Sequence, residues 1–391
     1  MLAFREILTV VIAALAAAAI SYVLTPLVKH FSLRFGFVDI PKDERRMHHQ
    51  PIPTIGGLAI FSAFFLVVLV TSNLSRQLIG MLAGSMIIVL LGVVDDKYDL
   101  NAKFKFLIQI LAAVIPVSQG CVIRYISNPL PIADYPYLPL RFLAIPCTII
   151  WIVALTNAVN FIDGLDGLSV GICSISCLAM GVIAMALGQS EEALILGILL
   201  GACLGFLPYN LNPAKIFMGD TGATFLGFML GCMSVSGLFK VYTVISFAVP
   251  ILVLGVPLFD ICFAFLRRLW NHVSPMHADR SHIHHRLIDM GFNQRQSVAI
   301  LYLVASLLGI LAVFASATGS GKALMVLVAA AAIGTAALWL LSRGAPSSSA
   351  HEDETATAEH AEDIPEIPSP DTAEESPSEP AGPEGSDDST P

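Results

Sequence analysis

Residues 78–119 read LIGMLAGSMIIVLLGVVDDKYDLNAKFKFLIQILAAVIPVSQ, two apolar runs with a short charged segment between them. The runs cover residues 78–94 and 104–119. Each approaches the roughly 20 residues that a helix needs to cross the hydrocarbon core of a bilayer. The segment between them places carboxylates and lysines where the first run would leave the membrane. This stretch therefore predicts two membrane-spanning helices with a charged cluster at one membrane surface.

The same pattern of apolar runs and short polar loops continues along most of the chain. Of the 391 residues, 55% are hydrophobic and only 13% are charged, whereas soluble domains contain about 25% charged residues. Eleven apolar runs are candidate spans, at residues 7–28, 55–72, 78–94, 104–119, 141–159, 168–187, 192–209, 222–238, 241–266, 297–316 and 321–341. The predicted fold class is an all-α polytopic membrane protein with about eleven transmembrane helices.

The net charge of −9 combines two regions of opposite sign. From Ala345 onward the chain has fourteen acidic residues and no lysine or arginine, which leaves 16 acidic against 21 basic residues, a balance of +5, in residues 1–344. We predict a transmembrane domain over residues 1–344 and a disordered, acidic, Pro/Glu/Ser-rich tail over residues 345–391, because the tail has too few apolar side chains to form a core. The basic residues of the domain lie in short separate loops, which suits anionic substrates at a membrane surface and argues against nucleic-acid binding.

Loop charges predict how the chain is oriented in the membrane. Lysine and arginine accumulate in cytoplasmic loops. One side of the predicted topology collects fifteen such residues and the other side only six. We therefore predict a multi-pass protein of the plasma membrane with its N-terminus outside and its C-terminus, including the tail, in the cytoplasm. Residues 121–140 are rich in proline, fall on the outer side and are expected to form a short surface hairpin.

Three clusters of carboxylates lie on the predicted cytoplasmic side, and the first is Asp95 and Asp96 at the end of a span. Carboxylates at that depth are costly unless they are neutralised, so they indicate function. Neighbouring residues on a helix diverge by about 100°, so one carboxylate can face a metal while the other faces a proton of the substrate. Lys103 and Lys105 follow, either as substrate-binding cations or as positively charged anchors at the membrane surface.

The second cluster is NAVNFIDGLDGL, residues 157–168. Polar residues recur in it every three positions, at Asn157, Asn160, Asp163 and Asp166. On a helix this spacing produces one slowly drifting polar stripe. Amide and carboxylate groups on such a stripe can bind a nucleotide base, a ribose or a hydrated cation. A polar turn between two spans is the alternative, but it explains poorly the two asparagines within an apolar helix.

The third cluster surrounds Asp220 in FMGDTGATFLG, residues 217–227. Gly219 and Gly222 allow close approach of the backbone, and Asp220 stands just before a span, so it can point back at the membrane surface. Oxygen ligands on a small cation, with phosphate present, favour Mg²⁺ or Mn²⁺. The sequence near these acids has no Cys/His arrangement at zinc spacing.

A dense cationic group follows in HADRSHIHHRL, residues 277–287, within the longest predicted cytoplasmic loop. Its members are Arg280, His282, His284, His285 and Arg286. If the segment is helical, His282 and His285 share one face. The group could bind a pyrophosphate as it sheds UMP, and a zinc site is the alternative.

Together these features fit phosphoryl transfer at a membrane surface. A metal would neutralise a diphosphate, basic groups would hold the leaving group, and a carboxylate would accept a proton from the nucleophile. The competing class is a transporter, because membrane carboxylates also mark ion pathways. Here the carboxylates gather at one face and not at the midplane, where transporter sites lie, and the sequence shows no inverted repeat.

Four motifs in order resemble the polyprenyl-phosphate N-acetylhexosamine-1-phosphate transferase family, of the glycosyltransferase family 4 type. They are DDKYD at 95–99, NAVNFIDGLDGL at 157–168, GDTGA at 219–223 and HIHHRL at 282–287. The resemblance runs from about Val38 to Leu287 and would make residues 1–344 a catalytic domain. It implies about ten or eleven transmembrane helices around a cytoplasmic cleft. It also implies transfer of a sugar-1-phosphate from a UDP-sugar to undecaprenyl phosphate, with release of UMP.

The resemblance further implies roles for individual residues. Asp96 and Asp220 match the family's ligands for the metal, Mg²⁺ or Mn²⁺, and Asp95 matches its proposed base. His282, in the donor-phosphate loop, completes the catalytic group. The remaining matches, together with Lys103, Lys105, Asn157 and Arg280 from the patterns above, form the predicted substrate-binding set. It consists of Arg45, Arg46, His48, Lys103, Lys105, Asn157, Asn160, Asp163, Asp166, Arg280, His284, His285 and Arg286.

The HIHHRL motif resembles one branch of this family. That branch transfers GlcNAc-1-phosphate from UDP-GlcNAc to start teichoic acid, O-antigen or related surface polymers. The phospho-MurNAc-pentapeptide transferases of peptidoglycan synthesis, which carry a different His-rich signature, are the alternative. The sequence does not decide whether the chain forms a homodimer.

Overall fold

The computed structural model describes residues 2–39, 51–127, 137–238, 251, 253–260, 262 and 283–318, most of them helical. The helices are α1 (Leu2–Phe35), α2 (Gly57–Thr71), α3 (Arg76–Tyr98), α4 (Ala102–Ser118), α5 (Ala144–Ile162), α6 (Leu168–Ala186), α7 (Ser190–Asn210), α8 (Gly219–Met233), α9 (Ile283–Asp289) and α10 (Gln294–Thr318). A 3-10 turn, Arg141–Leu143, precedes α5, and a π-helical turn, Ser234–Leu238, continues α8. Residues 255–260 are helical as well.

Six of the described helices are long and apolar enough to cross a membrane. They are α1, α3, α5 with its preceding turn, α6, α7 and α10. The prediction of a polytopic, predominantly helical membrane protein is therefore confirmed. The predicted spans 241–266 and 321–341 lie largely or wholly outside the described residues, as does the tail, so the count of eleven and the tail's disorder stay predictions.

Helix ends differ from the predicted spans in an informative way. α1 continues past the predicted end at residue 28 to Phe35 and so includes Lys29 and Arg34. Long basic side chains at a membrane surface reach the water while their stems stay on the apolar surface, so they do not end a helix. Two predicted spans, 55–72 and 222–238, form shorter helices, because α2 and α8 contain 15 residues each.

Two small antiparallel sheets accompany the helices. β1 (Val38–Asp39) pairs with β2 (Ile52–Pro53), and β3 (Tyr125–Ser127) pairs with β4 (Tyr137–Pro139). The second pairing confirms the predicted surface hairpin. The first pairing was not predicted, and it places β2 beside the start of α8, where the Phe217 amide donates to the Pro53 carbonyl at 2.8 Å.

α8 is the most buried element of the described bundle, since every residue from Thr221 to Met233 is buried. Glycines let its neighbours reach it. A Cβ on Gly92 of α3 would lie 2.4 Å from the Thr221 Cα, and one on Gly57 of α2 would lie 2.2 Å from the Gly222 Cα. Lipid is as apolar as these side chains, so close backbone packing contributes more to helix association here than burial from water does. The tight fit fixes the position of Asp220, at the first turn of α8.

Candidate active site

One large cavity, of about 1630 Å³, opens where α3 and α5 end and α8 begins. The walls are completed by the end of α1, β1, β2, the α5–α6 loop, the α7–α8 loop, the end of α9 and the start of α10. Members of all three predicted carboxylate clusters line it, namely Asp95, Asp96, Asn160, Asp163, Asp166 and Asp220. The cavity therefore brings together polar residues that are far apart in the sequence.

Lys105 on α4 connects the first and third clusters. Its Nζ lies 2.6 Å from Asp95 Oδ2 and 3.2 Å from Asp220 Oδ2. The other oxygen of Asp95 accepts a hydrogen bond of 2.8 Å from the Leu100 amide. The Asp95 side chain is only 3% exposed, so solvent would compensate its charge poorly without Lys105. The structure thus holds Asp95 and Asp220 on either side of one cation.

Asp96, at the end of α3, accepts hydrogen bonds from the start of α8. Its Oδ1 accepts from the Asp220 amide at 2.9 Å, and its Oδ2 accepts from the Thr221 amide at 3.1 Å and the Thr221 hydroxyl at 2.6 Å. The first amides of a helix have no partner within that helix, so Asp96 serves as an N-cap supplied by another element. Gly219 leaves room for it, because a Cβ there would lie 2.6 Å from an Asp96 oxygen. Asp96 therefore orients Asp220 through the backbone.

The two asparagines of the predicted polar stripe face different neighbours. Asn160 Nδ2 donates to Asp220 Oδ1 at 2.9 Å, on the cavity wall. Asn157 Nδ2 donates to Gln109 Oε1 of α4 at 2.6 Å and to the Val153 carbonyl at 2.8 Å. A spacing of three residues falls about 60° short of a full helical turn, so the stripe drifts from α4 towards the cavity. Asn157 consequently does not line the cavity.

Asp163 follows the last residue of α5 and lines the cavity. Burial raises the pKa of Asp163 well above its usual range, and the negative charges of Asp220, Asp96 and Asp166 raise it further. Mutual repulsion of this kind disfavours ionisation, and a bound cation would relieve it.

Asp166 holds the α7–α8 loop. Its Oδ2 accepts hydrogen bonds from Asn212 Nδ2 and from the Ala214 amide, both at 3.0 Å. The Asp166 carboxylate thus joins the α5–α6 loop to the α7–α8 loop on the cavity wall, between the second and third carboxylate clusters.

Sequence reasoning missed three lysines of this cavity as site residues. Lys29, Lys97 and Lys215 line it. None of the three forms an ion pair within the part of the chain that the structure describes. Their sequence signal was only the excess of positive charge on one side of the membrane. Lys103, which was predicted, is exposed near the start of α4 and does not line the cavity.

Several predicted residues lie outside the described part of the chain. They are Arg45, Arg46, His48, Arg280 and His282, together with the side chains of His284 and His285. The backbone of residues 283–289 forms α9, so part of the HIHHRL motif is helical, and Arg286 is half buried there. Ile288 and Asp289, at the end of α9, line the cavity.

The donor atoms at this site are oxygens, which hard divalent cations prefer. Magnesium commonly binds one or two carboxylates and takes its other ligands from water and substrate phosphates. Asp220 fits this mode with Asn160 beside it, and Asp96 Oδ1 retains a lone pair. In the described ranges no group of three or more His, Cys, Asp or Glu side chains converges on one point. These residues therefore suit a cation shared with a substrate phosphate better than an ion held by protein alone.

A predominantly helical membrane bundle with a polar, carboxylate-lined cavity at its helix ends defines a membrane enzyme that acts on a charged substrate. A family model described as glycosyl transferase family 4 matches residues 78–238, the region that carries Asp95, Asp163 and Asp220. The chain belongs to this family, as similarity to curated proteins over most of its length also shows, and the resemblance found in the four motifs is confirmed.

Three relatives illustrate the similarity. A probable undecaprenyl-phosphate N-acetylglucosaminyl 1-phosphate transferase of Bacillus subtilis is 40% identical over 314 residues, which cover 79% of this chain and 86% of the relative. A decaprenyl-phosphate N-acetylglucosaminephosphotransferase of Mycolicibacterium smegmatis is 36% identical over 321 residues, or 74% of this chain and 78% of the relative. An undecaprenyl-phosphate alpha-N-acetylglucosaminyl 1-phosphate transferase of Yersinia pestis is 28% identical over 287 residues, or 72% and 78% of the two chains.

Proposed function

We propose that this protein transfers GlcNAc-1-phosphate from UDP-GlcNAc to undecaprenyl phosphate. The reaction releases UMP and forms the lipid-linked first intermediate of a cell-surface polymer. The observation that carries the proposal is the meeting of Asp95, Asn160 and Asp220 at one cavity on the helix ends, with Lys105 in ion pairs with both carboxylates. The names of relatives from three organisms support GlcNAc as the sugar and a polyprenyl phosphate as the acceptor.

The proposed chemistry assigns the chain's residues as follows. An oxygen of the acceptor phosphate attacks the phosphorus that carries the sugar, a new P–O bond forms, and the bond to UMP breaks with its electron pair leaving on UMP. Asp95 accepts the proton of the acceptor phosphate, and Lys105 holds Asp95 in position. Lys29, Lys97 and Lys215 attract the phosphates, because positive charge in a cleft raises the local concentration of an anionic ligand.

Asp220 and Asp96 are the proposed ligands of Mg²⁺, with Asn160 orienting Asp220 and Mn²⁺ as a substitute. When bound, the metal neutralises charge on the diphosphate. Asp163 and Asp166 form the nucleotide-sugar side of the cavity, and the residues of the HIHHRL segment, with His282, bind the donor phosphates. Arg45, Arg46 and His48 are proposed to meet phosphate from the first loop.

The proposed topology has eleven spans, the N-terminus outside and the active site facing the cytoplasm. The described structure supports it, because the cavity lysines and carboxylates lie at the same helix ends. Labelling of single cysteines in a cysteine-free background tests it in intact cells. An impermeant reagent should label position 76, at the start of α3, and should leave position 215 unlabelled. The reverse pattern would contradict the orientation.

The acidic tail is proposed to be dispensable for the reaction, since all the residues assigned here precede it. Deletion of residues 345–391 should leave the rate of UMP release within about twofold of the full chain, which is the scatter expected for a surface change. Loss of activity on deletion would favour a function of the tail in recruiting a partner.

Release of UMP by the purified protein tests the function. With Mg²⁺ and a polyprenyl phosphate, UDP-GlcNAc should yield UMP and a lipid-linked sugar phosphate, while UDP-MurNAc-pentapeptide should not. Preference for UDP-MurNAc-pentapeptide would move the protein to peptidoglycan synthesis. The proposal fails if folded protein releases no UMP from any UDP-N-acetylhexosamine.

A further inference from the structure

Asn212, in the α7–α8 loop, makes hydrogen bonds to two other parts of the chain. Its Nδ2 donates to Asp166 Oδ2 at 3.0 Å and to Gln294 Oε1 at 2.6 Å. Its Oδ1 accepts from Arg295 Nε, and its backbone carbonyl accepts from Arg295 Nη2, both at 3.1 Å. Both amide hydrogens and the amide oxygen of Asn212 are thereby used. One side chain thus links the α5–α6 loop to the first turn of α10.

Arg295 holds Asn212 with two nitrogens of its guanidinium group. Because one nitrogen binds the side chain and the other binds the backbone of Asn212, the contact fixes both the orientation of the amide and the path of the loop. A lysine could not reproduce this geometry, since its ammonium group lacks the planar fork. The positive Arg295 and the negative Asp166 lie on opposite sides of the Asn212 amide, which polarises the chain of hydrogen bonds.

The contacts of Asn212 with the first turn of α10 also affect α9, the helix that precedes α10. Only Met290–Asn293 separate α9 from α10, so the first turn of α10 determines where α9 leaves the cavity wall. A second contact joins α10 to the α5–α6 loop, because the Tyr302 hydroxyl of α10 donates to the Gly167 carbonyl of that loop at 2.5 Å. The α5–α6 loop is thereby joined to α10 at two points.

We infer that Asn212 and Arg295 are positioning residues that hold α9, whose end lines the cavity at Ile288 and Asp289, against the nucleotide-sugar side of the cavity. This inference rests on the proposed function for its kinetic consequences. Neither residue touches the reacting atoms. Their contribution is to fix the position of α9, which carries part of the cationic motif, relative to the α5–α6 loop that carries Asp163 and Asp166.

The kinetic test compares Arg295→Ala, Arg295→Lys, Asn212→Ala and the Arg295→Ala/Asn212→Ala double variant. The lost hydrogen bonds are partly exposed, so each single change to alanine should raise the KM for UDP-GlcNAc about tenfold. The KM for polyprenyl phosphate should stay unchanged. Arg295→Lys keeps the charge but loses the fork, so it should behave like Arg295→Ala. The double variant should lose less than the sum of the two single changes, because the hydrogen bond from Arg295 Nε to Asn212 Oδ1 is removed by either change.

Arg76→Ala is the matched control. Arg76 is exposed at the start of α3, at the opposite end from the Asp95 and Asp96 carboxylates, so its loss removes an arginine charge without touching the cavity. Its kinetics should equal those of the unchanged protein. If Arg295→Ala does not fold in detergent, Arg295→Lys gives the same test with a smaller loss of packing.

Hydrogen exchange separates this inference from the proposed function. Peptides covering residues 283–293 should exchange faster in Arg295→Ala, whether or not the protein releases UMP. Faster exchange in Arg295→Ala, combined with no UMP release by the unchanged protein, would support the positioning contact and refute the proposed function. Unchanged exchange together with an unchanged donor KM would overturn the inference. A general rise of both substrates' KM values, or fully additive losses in the double variant, would also overturn it.

Discussion

Replacement of Asp96 tests how the start of α8 is held and whether the same carboxylate serves the metal. Asp96→Ala removes an N-cap from two amides, which costs about 0.5–2 kcal/mol. It also leaves the Thr221 hydroxyl, in a residue that is 0% exposed, without its acceptor, which costs about 1–3 kcal/mol. We therefore expect a total loss of about 1.5–5 kcal/mol of stability. Asp96→Asn keeps one carbonyl acceptor, so it should lose about 1 kcal/mol.

Two measurements on the same samples distinguish the role of Asp96 as a helix cap from its proposed role as a metal ligand. Thermal unfolding in detergent should rank Asp96→Ala below Asp96→Asn, with Asp96→Asn slightly below the unchanged protein. UMP release should be nearly abolished in both, because neither side chain carries the negative charge that a metal ligand supplies. If Asp96 acted through the cap alone, Asp96→Asn would retain a rate about 10- to 100-fold below the unchanged protein.

Glu191→Gln provides the control for this comparison. It also removes one carboxylate, but from an exposed position in the first turn of α7, away from the cavity. Its stability and its rate should match the unchanged protein. An Asp96→Ala variant as stable as the control would refute the capping argument, and a fully active Asp96→Asn would refute the assignment to the metal.

Three further outcomes are expected. Lys105→Met should lower UMP release at least about a hundredfold, because it removes the cation between Asp95 and Asp220. Lys105→Arg, which keeps the positive charge, should retain part of the rate. Equal rates for the two variants would argue against a charge effect. The folded-state pKa of Asp163 is raised above its unfolded value, so the folded protein binds that proton more tightly and loses stability as pH rises towards the folded pKa. Asp163→Asn should therefore raise the midpoint of thermal unfolding at neutral pH without magnesium, and it should lower UMP release. An unchanged midpoint would contradict this argument. Chelation with EDTA should stop UMP release, and added Mg²⁺ or Mn²⁺ should restore it, whereas restoration by Zn²⁺ alone would contradict the oxygen-donor site.

Much of the site was predictable from order along the chain. The apolar runs set which residues can lie within the bilayer, and the three carboxylate motifs each stand where such a run begins or ends. The length of a span fixes the depth at which its last residue emerges. Asp95, Asp163 and Asp220 were therefore expected at one membrane surface, and the structure brings them to one cavity.

The neighbour that each side chain faces around its helix axis could not be predicted in the same way. The stripe of Asn157 and Asn160 gives the spacing within α5, but only the neighbouring helices decide that Asn157 faces Gln109 and Asn160 faces Asp220. Close contacts between α8 and α5 at Gly227 and Gly231 set that rotation, because a Cβ on Gly227 would lie 2.7 Å from the Thr156 Cα and one on Gly231 would lie 3.2 Å from the Ile152 Cα.

By itself the sequence determined the membrane class, the motif order and the gathering of the carboxylates at one end of the spans, because hydropathy and span length depend only on position along the chain. The tertiary structure alone decided three contacts between distant segments. They are the salt bridges of Lys105 to Asp95 and Asp220, the capping of α8 by Asp96, and the hydrogen bonds of Asn212 to Asp166 and Arg295. Each depends on how one helix is rotated against another, and that rotation follows from packing between side chains that no local pattern records.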